Sequence, residues 1–90
     1  LTLDNDDNGT IINVTTTSAA ITIQVPSGLA TGFNCMIIQS GTQTVTLDDN
    51  SDATTLNNRN GLKTAGRYAI VTLVHIGSNV YVVSGDTKTS

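Results

Sequence analysis

Ninety residues with a single Cys leave room for one domain and no internal disulfide. Charged residues make up 12% of the chain, Glu is missing and the net charge is −3, which weighs against a nucleic-acid binder and its basic face. No apolar run reaches the roughly 18 residues of a membrane-crossing helix, and the opening LTLDNDD has neither the basic start nor the apolar stretch of a signal peptide.

Polarity comes mainly from Thr, Asn and Ser, a composition poor for helices and good for strands and turns. Aromatic residues are 3% of the chain: Phe33, Tyr68 and Tyr81. A chain of this size buries only about 60–65% of its unfolded surface. With so few bulky side chains the expected core is thin, and association with copies is the expected remedy.

In chain order, residues 1–3 read as a short strand at the head of an acidic opening segment, residues 1–9. That segment closes on Asn8-Gly9, a type I′ turn signal. Residues 11–17 form the next expected strand. Residues 20–25 follow, with Ile21, Ile23 and Val25 alternating with Thr22 and Gln24 until Pro26 ends the pattern. Residues 33–40 place Phe33, Cys35 and Ile37 on one face and Met36 and Ile38 on the other. Gly41-Thr42 is tight enough for a hairpin, with residues 43–47 returning. Residues 48–52 form an acidic loop, and residues 54–57 a short edge strand. Asn58 to Gly61 reads as a turn.

The longest apolar run lies in residues 67–84, RYAIVTLVHIGSNVYVVS, and is broken at Gly77-Ser78-Asn79. Its β-branched content and the Gly77-Ser78-Asn79 punctuation favour a central hairpin over a helix. Ala69, Val71, Leu73 and His75 share one face, Tyr68, Ile70, Thr72, Val74 and Ile76 the other. Both faces are largely apolar, so the strand is expected to be covered twice. Residues 87–90 read as a frayed tail. The sum is one all-β domain over residues 1–90, an antiparallel sandwich or barrel of about seven or eight short strands in a homo-oligomer, with no defensible internal repeat of 20 residues or more.

Few residues suggest chemistry. Asp4, Asp6, Asn8 and Gly9 match the first half of a calcium-loop pattern, with oxygen ligands two apart and a Gly for the turn. The second half fails, since Thr15 stands where a bidentate Glu is needed, and a solvated acidic turn is preferred. Asp48, Asp49 and Asp52 could serve as acid and base, but the aromatic cleft that holds sugar in such enzymes is missing, so a solubilising loop is preferred. His75 has no Cys–His spacing beside it, and Cys35 sits inside an apolar strand; both read as structural. Arg59, Lys63 and Arg67 recur every fourth residue in a turn-rich setting, where pairing with Asp48, Asp49 or Asp52 is expected. Asn8-Gly9-Thr10 and Asn13-Val14-Thr15 are glycosylation sequons by pattern alone. No catalytic residue and no cofactor is expected.

An ordered set of short motifs resembles a small β module common in virion structural proteins of tailed phages. Its first half is Ile23-x-Val25-Pro26-Ser27-Gly28, Gly32-Phe33-Asn34-Cys35, Ile38-Gln39 and Val45-Thr46-Leu47. Leu56-Asn57, Asn60-Gly61-Leu62-Lys63-Thr64, Tyr68-Ala69, Thr72-Leu73 and Tyr81-Val82-Val83-Ser84-Gly85-Asp86 continue it. The likeness spans about residues 9 to 86. It implies a non-enzymatic tail-fibre, appendage or head-decoration component at the particle surface, partnered by other virion proteins and by copies of itself, a trimer being favoured. Met36, Ile38, Val71, Leu73, Tyr81 and Val83 are the expected oligomer contacts, as apolar residues on second faces. The alternative is a module that binds host surface glycan. Neither nucleic acid nor membrane insertion is expected.

Overall fold

A computed structural model describes residues 1–89. A 3-10 turn, Asn5–Asp7, precedes nine strands: β1 Ile11–Val14, β2 Ile21–Gln24, β3 Asn34–Gln39, β4 Val45–Asp48, β5 Thr55–Asn58, β6 Lys63–Thr64, β7 Ile70–Gly77, β8 Val80–Gly85 and β9 Thr87–Lys88. They form a five-stranded sheet in the order β1-β3-β7-β8-β5 and a four-stranded sheet in the order β2-β4-β6-β9. The two sheets face each other as a sandwich, as the strand-rich composition required.

The path between the sheets differs from the expected antiparallel one. From β1 to β7 every connection crosses to the opposite sheet. β1 runs parallel to β3, β2 to β4 and β5 to β8, while the pairs β3–β7, β4–β6, β6–β9 and β7–β8 are antiparallel. Ile11 lies beside Met36 and Thr55 beside Val80, each 25 residues further on, and Ile21 lies beside Val45, 24 residues on. The steps from β1 to β3 and from β2 to β4 thus advance by nearly the same number of residues, a spacing that the residue identities do not display.

Several local expectations change with this path. The expected hairpin at Gly41-Thr42 is a crossing between sheets, because β3 and β4 belong to different ones. Gly41 is needed there: a Cβ at that position would run into the Thr15 and Thr16 backbone. The true hairpin is β7–β8, antiparallel from Val71↔Gly85 to His75↔Tyr81, with an irregularity between His75 and Gly77. Its turn uses positive φ at Gly77, Ser78 and Asn79. Strand β7 begins at Ile70, since Tyr68 has a φ of 70° and cannot continue an extended strand. The frayed tail is likewise corrected: Thr87 and Lys88 form β9, paired with Thr64 and Lys63. Ser90 lies outside the described residues.

The core is contiguous and lies between the sheets. Ile23, Val25, Val45 and Leu47 come from β2, β4 and the residue after β2; Cys35, Ile37, Val71, Leu73, Tyr81 and Val83 come from β3, β7 and β8. Phe33 and Leu3 close it from outside the strands. Both walls of this core come from the one chain. The accessible surface is 4685 Å², close to the roughly 5,000 Å² of a folded monomer of this mass.

Candidate functional site

Strand alternation decides which side chains leave the core. In the five-stranded sheet the β3–β7 register pairs Ile37 with Val71 and Met36 with Thr72, and the β7–β8 register pairs Leu73 with Val83 and Val74 with Val82. Val71, Leu73, Tyr81 and Val83 therefore point inward and are at most 2% exposed. These four were expected at an oligomer surface; the phase is one residue off, and the structure uses them as core. Met36 and Ile38 do face outward, Met36 exposed and Ile38 half-buried.

The outward set is larger than the one expected. Ile11 from β1, Met36 and Ile38 from β3, Ile70, Val74 and Ile76 from β7, and Val82 from β8 share the outer face of one sheet. Ile11 is 63% exposed and Ile76 60%. Among the described residues, five of the seven large apolar side chains left exposed belong to this face. The outward positions between them are Asn13, Asn34, Thr55, Asn57, Thr72, Val80 and Ser84, so no strand residue on the face is charged. A shallow groove of about 290 Å³ crosses it beside Ile11, Met36 and Thr72. A wet antiparallel face normally presents polar residues outward; this one presents β-branched hydrocarbon.

Several of the residues weighed for chemistry have structural partners. The Asp4 side chain accepts from the Asp6 N–H (2.9 Å) while Asp7 accepts from the Asp4 N–H (2.9 Å), a capping box around the 3-10 turn. Asn8 Oδ1 accepts from the Asn34 N–H at 3.0 Å, and Asn5 Oδ1 from the Ala30 N–H at 2.9 Å. Of the calcium-like pattern, Asp4 thus caps its own turn and Asn8 ties the opening segment to the residue that starts β3. Among the described residues, no three His, Cys, Asp or Glu side chains gather as a metal site.

Asp52, in the acidic loop, accepts from the Ser27 N–H (3.0 Å), the Ser27 hydroxyl (2.8 Å) and the Ala53 N–H (3.0 Å). The Ser27 amide first, then its hydroxyl and the Ala53 amide, hold its carboxyl below the usual 3.8. Asp49 caps the Ser51 N–H. These bonds tie the loop to Ser27 and to its own backbone. Arg67, expected to pair with an acidic loop, donates from Nε to the Ser40 carbonyl at 2.9 Å and lies over the Tyr68 ring at 5.0 Å.

His75 is buried, as a structural histidine should be. Its Nδ1 lies 2.8 Å from the Ala30 carbonyl, which can only accept, and the Asn79 N–H donates to its Nε2 at 3.2 Å. These partners fix the neutral Nδ1–H tautomer. The ring stacks on Tyr81 at 4.4 Å, so the imidazole ties the loop before β3 to the β7–β8 turn. Burial pushes the Cys35 thiol up to about 11, with the Asp7 carboxylate adding to it, which makes it an unreactive core residue.

Among the described residues, the feature that stands out is the apolar outer face of the five-stranded sheet. Comparison with protein families, curated proteins and solved structures found no match.

Proposed function

We propose that this chain is a non-enzymatic structural module of a tailed-phage particle, packed through the outer face of its five-stranded sheet against copies of itself or neighbouring particle proteins. One observation carries the packing part: an uncharged sheet face on which Ile11, Met36, Ile70, Ile76 and Val82 are all exposed. Contiguous apolar patches of this kind mark interaction surfaces on folded proteins. The particle-surface part is supported by the ordered motifs of residues 9 to 86, whose turn members Pro26-Ser27-Gly28 and Asn60-Gly61 fall between strands. Tail fibre, appendage and head decoration are the settings in which such a module would sit.

The test is native mass measurement of the purified chain beside its Ile70→Lys variant. Ile70 is half-exposed at the start of the sheet's central strand and is not part of the core cluster. The expected result is a concentration-dependent oligomer that the lysine abolishes without unfolding the domain. A chain that stays monomeric at every concentration refutes packing against copies. Immunogold labelling of purified particles tests the location.

A glycan-binding module is the second reading, and Tyr68 is the observation favouring it. Its ring is 67% exposed beside Arg67, held in a left-handed backbone conformation that a Tyr rarely adopts. Tyr81, buried against His75, offers nothing to a sugar. Glycan-array binding that vanishes in Tyr68→Ala would establish this reading over the first.

A further inference from the structure

We infer that β1 is a strand-pairing site, and that its partner is β1 of a second copy, antiparallel across a two-fold axis centred on Ile12. This names one contact of the self-assembly proposed above and rests on that reading; it concerns the sheet's edge and not its face.

The sheet order leaves β1 with a neighbour on one side only. The bonds to that neighbour show which backbone groups are spent. The Met36 N–H donates to the Thr10 carbonyl and the Ser40 N–H to the Val14 carbonyl. In a parallel ladder these alternate, so Thr10, Ile12 and Val14 turn their backbone toward β3. Ile11 and Asn13 turn theirs outward, with N–H and C=O open to a further strand.

The other edges are closed in ways that β1 is not. On β2 the opening residues lie alongside: the Leu3 N–H donates to the Gln24 carbonyl and the Gln24 N–H to the Leu1 carbonyl. On β5 the Thr55 N–H binds the Asn79 carbonyl, which leaves Leu56 facing out, and there the Asn58 side-chain amide donates to the Leu56 carbonyl at 3.1 Å. β9 is two residues long and holds Lys88. Folded proteins blunt exposed edges with charge, Pro, bulges or cover. β1 has an unbroken register with β3, no Pro, and no charged residue anywhere from Asn8 to Leu47.

A second copy fits this edge better than a foreign strand because the pattern is self-complementary. Centred on Ile12, the pairing sets Ile11 of each copy opposite Asn13 of the other, and each such pair exchanges both its N–H···O bonds. Ile12 then meets its own symmetry mate as a non-hydrogen-bonded pair on the inner face, where it is half-buried against the core. No charge opposes its like, and the two sheets become one continuous sheet.

The test begins with the full-length Ile12→Cys, Cys35→Ala double variant, oxidised mildly at increasing concentration. A non-hydrogen-bonded pair brings Cα atoms about 4.5 Å apart, within disulfide range. The expected product is a covalent dimer. In the wild-type chain, amide exchange at Ile11 and Asn13 should slow as the concentration rises, while Ile12 is protected throughout by β3. Ile11→Lys should weaken the dimer by about tenfold or more while leaving the monomer's melting unchanged. Absence of the cross-linked dimer, or exchange at Ile11 and Asn13 that ignores concentration, overturns the inference. If Ile70→Lys abolishes association and Ile11→Lys does not, the face survives as the contact and the edge does not.

Discussion

Replacing Tyr81 by Phe should stabilise this protein, against the usual trend for a core substitution. The Tyr81 side chain is fully buried and its hydroxyl has no hydrogen-bond partner. The nearest polar ring, His75, stacks on it face to face at 4.4 Å with 12° between planes, and both imidazole nitrogens already hold backbone partners. A buried donor left unpaired costs about 1–3 kcal/mol. Tyr81→Phe removes that cost and keeps the ring, its stacking and nearly all its volume. For a domain of this length, 1 kcal/mol moves the midpoint by about 4–8 °C. Calorimetry should therefore show a rise of roughly 5 °C, with the same sign in urea. A control, Tyr81→Ala, should lose about 3–5 kcal/mol through the cavity it opens. A fall in midpoint for Tyr81→Phe would show that the hydroxyl is paired in solution and contributes to stability.

Four further outcomes are expected. Burial first, then the Asp7 carboxylate, raises the Cys35 thiol from 9.0 to about 11, and burial raises the Tyr81 phenol above 10.0. Both groups favour the fold fully below their unfolded values, so stability should fall as the pH climbs from about 9 toward 11, less steeply in Cys35→Ala, by urea midpoints. The carboxyl of Asp52 is held below 3.8, so its contribution is complete above that pH and fades beneath it. Asp52→Asn should flatten this acid limb and speed amide exchange at Ser27. Gly85 has a φ of 123°, and a Cβ there would press on the Ile70 carbonyl; Gly85→Ala should cost about 1–3 kcal/mol in chemical denaturation. Thr64→Val removes the hydroxyl that donates to Gln39 Oε1 and accepts from the Val45 N–H at 2.9 Å; stranding the buried Gln39 should cost about 1–3 kcal/mol by the same measure.

The strands were largely legible because their signal is local. Alternation in Ile21–Gln24, the β-branched stretch of β7 and the Gly77-Ser78-Asn79 turn depend only on near neighbours in sequence, and the structure keeps all three. Pairing was not legible, because it depends on where each connection crosses the core. Gly41-Thr42 has the composition of a hairpin turn, yet the chain there passes under the Thr15 and Thr16 backbone to the other sheet. The 24- or 25-residue spacing stayed hidden for a related reason. Ile11 pairs with Met36 and Thr55 with Val80, but each site asks only for a strand former.

The candidate surface turned on a single residue of phase. Two-sided apolarity in residues 67–84 correctly announced that the outer face is unusual, but nothing local says which side of β7 meets β2 and β4. His75 resolves it. A polar ring needs two fixed partners to be buried, and the Ala30 carbonyl and Asn79 amide supply them on one side only. Val71 and Leu73 must follow His75 inward, which sends Ile70, Val74 and Ile76 outward. The sheet's face and its edge are open to two different kinds of contact. Hydrocarbon on the face can be covered by any flat apolar partner, whereas the free amides of Ile11 and Asn13 accept only an extended backbone. A particle component using both would bind through its face with tolerance and through its edge with register, so a charge at position 11 and a charge at position 70 should fail in distinguishable ways.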